Sequence, residues 1–364
     1  MNHQLLIDSE QFWLTLKDDL YNAREAIRIQ TLSFEGDGTG HMLSQVLVSL
    51  DPKIDIRVII DSYTKYILSD KFLYTPRNFI NSALRKEKKA TRQIIKTLQA
   101  RNIHVKFTSP VGIFLHKFAA RNHKKIIVID NNIVYLGGIN FSEHNFAWHD
   151  MMLRLESQEL AKFLKDDFEL TWQNKNYFHE LSLNSINILS LDGFSNEVNY
   201  KKIFDIIDQA KNEILVHSPY LTFPFMNKLV AAKKRGVRIK IITPENNNRK
   251  SLKKYITSES ARYDLEVWLY KERMSHLKAM LVDNKYLIMG SSNFDYISFR
   301  CHPELVVIIE HENIISEFKK RVINDDIENA TKIQTSVLRH QGVILKLQMI
   351  LLGKIFTGLA KFYN

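Results

Sequence analysis

Residues 121–130 read Arg121-Asn-His-Lys-Lys-Ile-Ile-Val-Ile-Asp130, and residues 274–283 read Met274-Ser-His-Leu-Lys-Ala-Met-Leu-Val-Asp283. In both stretches Lys follows His by two positions and Asp follows Lys by five. Gly137-Gly138 and Gly290-Ser291 begin seven positions after the Asp, and Asn140 and Asn293 stand ten after it. Strand side chains alternate faces, so His123 projects with Lys125, and His276 with Lys278. The run Ile126–Ile129 is apolar and β-branched, as a buried strand requires. Asp130-Asn-Asn and Asp283-Asn-Lys read as turns that reverse the chain into a second strand. The glycine after that strand lets backbone approach closely, and the asparagine adds an amide donor. Imidazole, ammonium and amide together suit a phosphoryl group, offering nucleophile or acid, positive charge and hydrogen-bond donor. Asp130 and Asp283 join the candidate set with two roles open, one catalytic and one as turn caps. Ser291 differs from its counterpart Gly138, so a hydroxyl contact there is confined to the second copy.

The 364 residues leave room for roughly two domains, and a composition 45% hydrophobic and 25% charged is that of a globular protein. The net charge of +11 favours an anionic partner, phospholipid head groups or nucleic acid. A single cysteine, Cys301, excludes an intrachain disulfide and reads as a small buried residue. The first residues carry no basic segment followed by an apolar run, so no signal peptide is expected. No stretch of about 20 uncharged apolar residues occurs, so no spanning helix is expected either. Metal ligation has no visible set: there is no carboxylate pair with a helical Glu-x-x-His and no cysteine cluster, and no cofactor is expected.

The order of elements repeats. A helix over 9–26 leads to a strand over 27–34, a helix over 41–50, a strand over 54–61 and a strand over 103–107 before the first motif. After it, a helix over 201–212, strands over 213–219 and 237–243 around a helix over 226–235, and a strand over 265–270 precede the second. Strand–helix–strand order predicts parallel pairing in an α/β fold. The Asn- and Ser-rich stretch 181–199 reads as the domain boundary. The expected architecture is a lobe over 1–180, a second over 195–330, each a mixed sheet flanked by helices and related by a pseudo-twofold, and a tail over 331–364. Such a repeat would bring the motifs to one cleft. Residues 64–101 read as mostly helical with a basic cluster, Arg85, Lys86, Lys88, Lys89 and Arg92, either a solvated face or a surface for anionic head groups. Over 342–364, Lys346, Lys354 and Lys361 share one helical sector while Leu351, Leu352, Ile355, Phe356 and Leu359 fall opposite. That is an amphipathic helix, for a membrane interface or for packing on the protein.

The paired motifs resemble the His-x-Lys-Asp signature of the phospholipase D superfamily over nearly the whole chain. Phe34-Glu-Gly-Asp-Gly-Thr-Gly40, Gly236-Val-Arg-Ile-Lys-Ile-Ile-Thr-Pro244 and Gly290-Ser-Ser-Asn-Phe-Asp-Tyr-Ile-Ser-Phe299 are similar to its bacterial cardiolipin synthases and related phosphatidyltransferases. The resemblance implies transfer of a phosphatidyl group to an alcohol through a phosphohistidine, with His123 as nucleophile and His276 as acid and base. It implies orienting carboxylates about 27 residues after each histidine, where Asp150 and Glu304 stand, an anionic phospholipid such as phosphatidylglycerol as substrate, and a peripheral place on the cytoplasmic side of a membrane. Ser275-His-Leu-Lys departs from the common Leu-His-Ala-Lys of that branch, and the membrane helices that precede the domain in some members have no counterpart. The alternatives are hydrolysis with water as acceptor and a nuclease of the same superfamily; the basic charge fits the latter, but no aromatic-studded basic strands stand ready to stack bases. His116, His149, His217 and His302 lack spaced partners and read as locally hydrogen-bonded.

Overall fold

The computed structural model describes residues 2–112, 115–333 and, beyond these, 347, 348, 350, 351, 353–355 and 358. It divides into two compact units, Met1–Tyr177 and Phe178–Asn364.

In the first unit the elements run β1 (Asn2–Ile7), α1 (Asp8–Asn22), β2 (Ala26–Thr31), α2 (Gly38–Ser49), β3 (Asp55–Asp61), β4 (Ile67–Leu68), β5 (Lys71–Phe72), α3 (Pro76–Phe79), α4 (Ser82–Ala100), β6 (His104–Thr108), β7 (Ile126–Ile129), β8 (Ile133–Gly137), α5 (Glu143–Phe146), β9 (Met151–Glu156) and α6 (Gln158–Trp172). Its main sheet has the order β1-β9-β8-β7-β2-β3-β6. The β2–β3–β6 side is parallel and the remainder antiparallel. α1 buries Phe12, Leu16 and Leu20, one apolar residue per turn, against this sheet's core. Asp37 accepts from the Gly40 amide and so caps the start of α2.

The second unit contains β10 (His179–Leu183), β11 (Ile186–Asp192), α7 (Asn196–Asn199), α8 (Lys201–Gln209), β12 (Glu213–His217), α9 (Phe225–Lys234), β13 (Arg238–Pro244), α10 (Lys250–Arg262), β14 (Glu266–Tyr270), β15 (Ala279–Val282), β16 (Tyr286–Gly290), α11 (Tyr296–Cys301), β17 (Pro303–Ile309), α12 (Glu312–Phe318), α13 (Asp325–Glu328) and β18 (Ala330–Lys332). Its sheet order is β10-β11-β17-β16-β15-β12-β13-β14-β18. Stripped of β10 and β18 this is the first sheet again, β11 standing for β1, β17 for β9, and β12-β13-β14 for β2-β3-β6. Each lobe is therefore a mixed sheet flanked by helices.

Four expectations change. The stretch 181–199 is not where the units divide: β10 and β11 form a hairpin, and β11 pairs with β17 from Ile186↔Ile309 to Asp192↔Pro303. The second unit thus begins at Phe178 rather than near 195. Residues 312–330, whose charged run reads in the sequence as one helix, break into α12, a π-helical turn over Lys319–Asn324 and α13, and Ala330–Lys332 continues as a strand on β14. Only the 76–79 and 82–100 parts of 64–101 are α-helical, because β4 and β5 make a small ribbon ahead of them. Most of the amphipathic tail over 342–364 lies outside the described residues. Of those described, Leu347, Leu351, Lys354 and Ile355 are helical and exposed, and Gly353 packs against the Tyr296 ring, where a Cβ would collide. Among the described residues no helix is long and apolar enough to cross a membrane.

Candidate active site

In each lobe the motif precedes its strand rather than lying on it: Arg121–Lys125 is an extended segment that enters β7, and Ser275–Lys278 enters β15. The registers fix what meets it. Ile126 faces Leu136 across β7–β8, and Gly137 faces Met152 across β8–β9. Continuing both ladders brings His123, Gly138–Asn140 and Asp150 to one end of the sheet. It is the end at which the parallel strands β2 and β3 finish, the usual place for a site in such a sheet. The second lobe repeats this, with Ala279 opposite Met289 and Gly290 opposite Val306, so that His276, Ser291–Asn293 and Glu304 share an end. His123, Lys125, His276 and Lys278 are all buried. Lys125 Nζ donates to the carbonyl of His123 at 2.7 Å, and Lys278 Nζ to the carbonyl of His276. Each ammonium is thus held beside its own histidine in the same way.

The anchors of the two segments were not legible in the sequence. In the first lobe Asp61, the last residue of β3, is fully buried. It accepts from Arg121 Nη1 at 3.0 Å and from the Asn122 amide at 2.7 Å. Burial pushes its carboxyl up, against the Arg121 guanidinium and the backbone donors that favour the charge. Arg121 also donates to the carbonyls of Ser109 and Lys117. Gln30 Nε2, at the end of β2, donates to Asn122 Oδ1 at 2.9 Å. In the second lobe the equivalent strand position is His217, whose Nε2 lies 2.8 Å from Ser275 Oγ and whose Nδ1 lies 3.0 Å from Asp326 Oδ2. An amide pair in one lobe and a hydroxyl–imidazole–carboxylate chain in the other tie down the residue just before the motif histidine. The Tyr220 ring meets His276 edge to face, 5.9 Å between centroids.

The supporting residues divide. Asp150 is buried against Gly138, where any Cβ would come within 2.3 Å of its carboxylate, and accepts from the Met151 amide at 2.9 Å. Glu304 is buried too, and Ser291 Oγ donates to it at 2.5 Å, with His302 Nδ1 3.5 Å from its other oxygen. Gly138 and Ser291 are therefore matched to their carboxylates, the glycine making room and the serine donating. Asn140 Oδ1 accepts from Thr31 Oγ1 at 3.3 Å and its amide donates to Asn145 at 3.2 Å. Asn293 is buried with an Oδ1 that has no hydrogen-bond partner among the described residues, leaving an acceptor for a ligand's donor. His149 lies 2.7 Å from Asp8. Its partner and those of His217 lie far along the chain rather than nearby as expected: His149 meets Asp8, and His217 joins Ser275 to Asp326.

Asp130 and Asp283 are not with their histidines. Each follows the far end of its strand, about 17 Å from the motif lysine at roughly 3.3 Å per residue. Asp130 accepts from the amides of Arg24, Glu25 and Ala26 at 2.6, 2.8 and 3.0 Å. Asp283 accepts from Lys211, Asn212 and Glu213 at 2.8, 2.8 and 2.9 Å. Both have positive φ in the turn that ends the strand. Of the two roles open to them the turn cap fits, and each also latches the start of the neighbouring strand. Burial raises the Asp283 carboxyl, but the three amides outweigh it and hold it below the usual range. A lowered folded-state value stabilises the protein above the carboxylate range, and that stability goes as pH falls through it. Asp283→Asn is expected to cost about 1 kcal/mol at pH 7. Thermal melts should show the gap to wild type closing as the pH is lowered toward 3, with turnover of the folded protein unchanged.

Elsewhere in the first lobe, ligand oxygens of Glu35, Asp37 and Glu87 come within 4.8 Å of one another. Burial, with Glu87 and Asp37 nearby, pushes the Glu35 carboxyl up to about 9.

Residues 16–172 and 203–325 match the family described as cardiolipin synthase, phospholipase D-like domain. Cardiolipin synthase 1 of Staphylococcus epidermidis is 24% identical, across 99% of this chain and 73% of its own length. A minor cardiolipin synthase of Bacillus subtilis is 28% identical, over 65% of this chain and 64% of its own. Among solved structures, phosphatidylserine synthase of Haemophilus influenzae superposes with a TM-score of 0.71 at 16% identity, covering 97% of this chain and 93% of that one. At that identity the structural likeness speaks for the fold alone.

Proposed function

The chain belongs to the phospholipase D-like family of cardiolipin synthases, and from that premise we propose that it transfers a phosphatidyl group from phosphatidylglycerol to an alcohol, the glycerol end of a second phosphatidylglycerol. The observation that carries this reading is the repeated pair of buried histidine and lysine, each ammonium held on the carbonyl of its histidine.

The chemistry follows from those groups. His123, neutral, attacks phosphorus; the bond to the leaving glycerol oxygen breaks as His276, protonated, gives that oxygen its proton. The phosphatidyl group then rests on the imidazole. His276, now neutral, takes the proton of the incoming hydroxyl, whose oxygen attacks phosphorus while the P–N bond breaks. Lys125 and Lys278 offset charge building on the non-bridging oxygens, and the Asn293 amide Nδ2 supplies a further donor there. The two histidines need opposite protonation states at the start, so their titrations are coupled. Asp150 and Glu304 act on histidine orientation, and Ser291 fixes Glu304. Peripheral membrane contact through 342–364 is part of the reading, supported by the exposed Leu347, Leu351, Ile355 and Lys354.

The test is mass spectrometry of lipids after the purified protein meets vesicles containing phosphatidylglycerol, beside His123→Ala. Cardiolipin formed by wild type alone supports transfer. Phosphatidate alone makes the protein a hydrolase of the same chemistry. Unchanged lipid from wild type sinks the reading.

A further inference from the structure

A second feature of the first lobe is continuous with its motif. The chain leaves β3 at Asp61, the anchor of Arg121 and Asn122, and runs through β4, β5 and α3 into α4. Phe118, three residues before Arg121, packs edge on against Phe72 at 5.8 Å and Tyr66 at 6.4 Å, and Tyr66 meets Tyr74 at 5.7 Å. An aromatic wall thus leads from the approach to His123 out to Tyr74. Beyond it, Phe79 and Ile80 are 63% and 74% exposed, a large apolar area given to water with no packing reason. Beside them opens a groove of about 370 Å³ with Leu73, Phe79 and Leu84 among its lining.

The rim of that groove is cationic. Arg85, Lys88, Lys89 and Arg92 recur at helical spacing along α4 and line it. Glu87, the one carboxylate of α4, is turned to the Ser69 hydroxyl at 3.0 Å. No ion pair holds Arg85, Lys89 or Arg92 among the described residues. Lys88 lies 4.7 Å over the Tyr74 ring and donates to its hydroxyl at 3.1 Å, setting a cation at the aromatic edge. Cations alone suit any polyanion. Cations around exposed Phe and Ile suit a surface whose charge lies over hydrocarbon.

The geometry points to Tyr74, Phe79 and Ile80, with the cationic face of α4, as a docking surface for an anionic phospholipid bilayer that opens toward the first motif. Phe79 and Ile80 enter the acyl boundary while Arg85, Lys89 and Arg92 meet the phosphates. This inference rests on the phosphatidyltransferase reading and adds to it a bilayer contact that does not involve the tail.

The test is co-sedimentation of the full chain with phosphatidylcholine vesicles, with and without phosphatidylglycerol, at low and high salt, for wild type and two sets of exposed substitutions. Arg85→Gln/Lys89→Gln/Arg92→Gln is expected to weaken partitioning to the anionic vesicles about a hundredfold and to reduce its salt dependence. Phe79→Ser/Ile80→Ser is expected to weaken it about tenfold at every salt concentration. Melting temperatures unchanged from wild type confirm folding. Partitioning equal to wild type in both sets overturns the surface, as does a charge variant that loses oligonucleotide binding while vesicle binding stays. Turnover of a dispersed short-chain phosphatidylglycerol separates the two readings. Both variants should keep it, and a wild type without it defeats the enzymatic reading whatever the vesicles show.

Discussion

His123→Ala and His276→Ala each lose at least about 10³-fold in phosphatidyl transfer, while Lys125→Met and Lys278→Met lose roughly 10²–10³-fold. Phosphate-ester cleavage is among the slowest uncatalysed reactions, so a site without a nucleophile or a proton donor has little left to work with. The losses are not additive, because the two histidines act in one sequence of steps, and the double variant should be little slower than either single one. Rapid quench with labelled lipid separates their roles. His276→Ala retains the nucleophile but lacks the acid for the first step and the base for the second, so the adduct it forms, slowly, should be acid-labile and on His123, and His123→Ala should trap none. The reverse pattern exchanges the assignments without touching the chemistry. Full activity in either alanine variant would remove that histidine from the mechanism.

Much of this was legible in the sequence because the signal is local and occurs twice. His-x-Lys, an apolar strand, a turn and a glycine can be read within 18 residues of chain, and a second copy at matching spacing makes chance a poor explanation. The parallel strands β2-β3-β6 and β12-β13-β14 were legible for the same reason, each being a short stretch of alternating or continuous apolar residues. β11 was not. Its sequence, Ile186-Asn-Ile-Leu-Ser-Leu-Asp192, is a short apolar run set among Asn and Ser, and its burial comes from β17, more than a hundred residues on. β1 depends in the same way on β9, Leu5 facing Leu153. The anchors Asp61–Arg121 and His217–Ser275 join residues about 60 positions apart, and nothing local marks them. The placing of Asp130 and Asp283 could have been foreseen, since five residues of extended chain put them too far from the lysine to share its chemistry.

The second large effect concerns Lys124, between the two motif residues. Strand alternation turns it away from His123 and Lys125 and into the lobe, where it is fully buried and its Nζ donates to Asp167 of α6 at 2.7 Å. Asp167 is buried as well. Asp167→Ala should therefore destabilise the protein by about 3–5 kcal/mol, because it strands an ammonium in the interior. The second lobe meets the same position differently: Leu277 stands where Lys124 does and is fully buried. Lys124→Leu/Asp167→Leu, which carries that solution into the first lobe, should recover most of the loss, since replacing a whole buried pair by apolar residues is often neutral. Denaturant unfolding gives the two energies, and turnover at a temperature where all variants are folded reports the motif. If the pair served only stability, the double variant would be both stable and active. If α6 sets the motif through this contact, the double variant is stable but slower, because His123 and Lys125 flank the residue whose side chain was changed. An Asp167→Ala variant within about 1 kcal/mol of wild type would mean that the ammonium finds water, and that this pair does not hold the strand to α6.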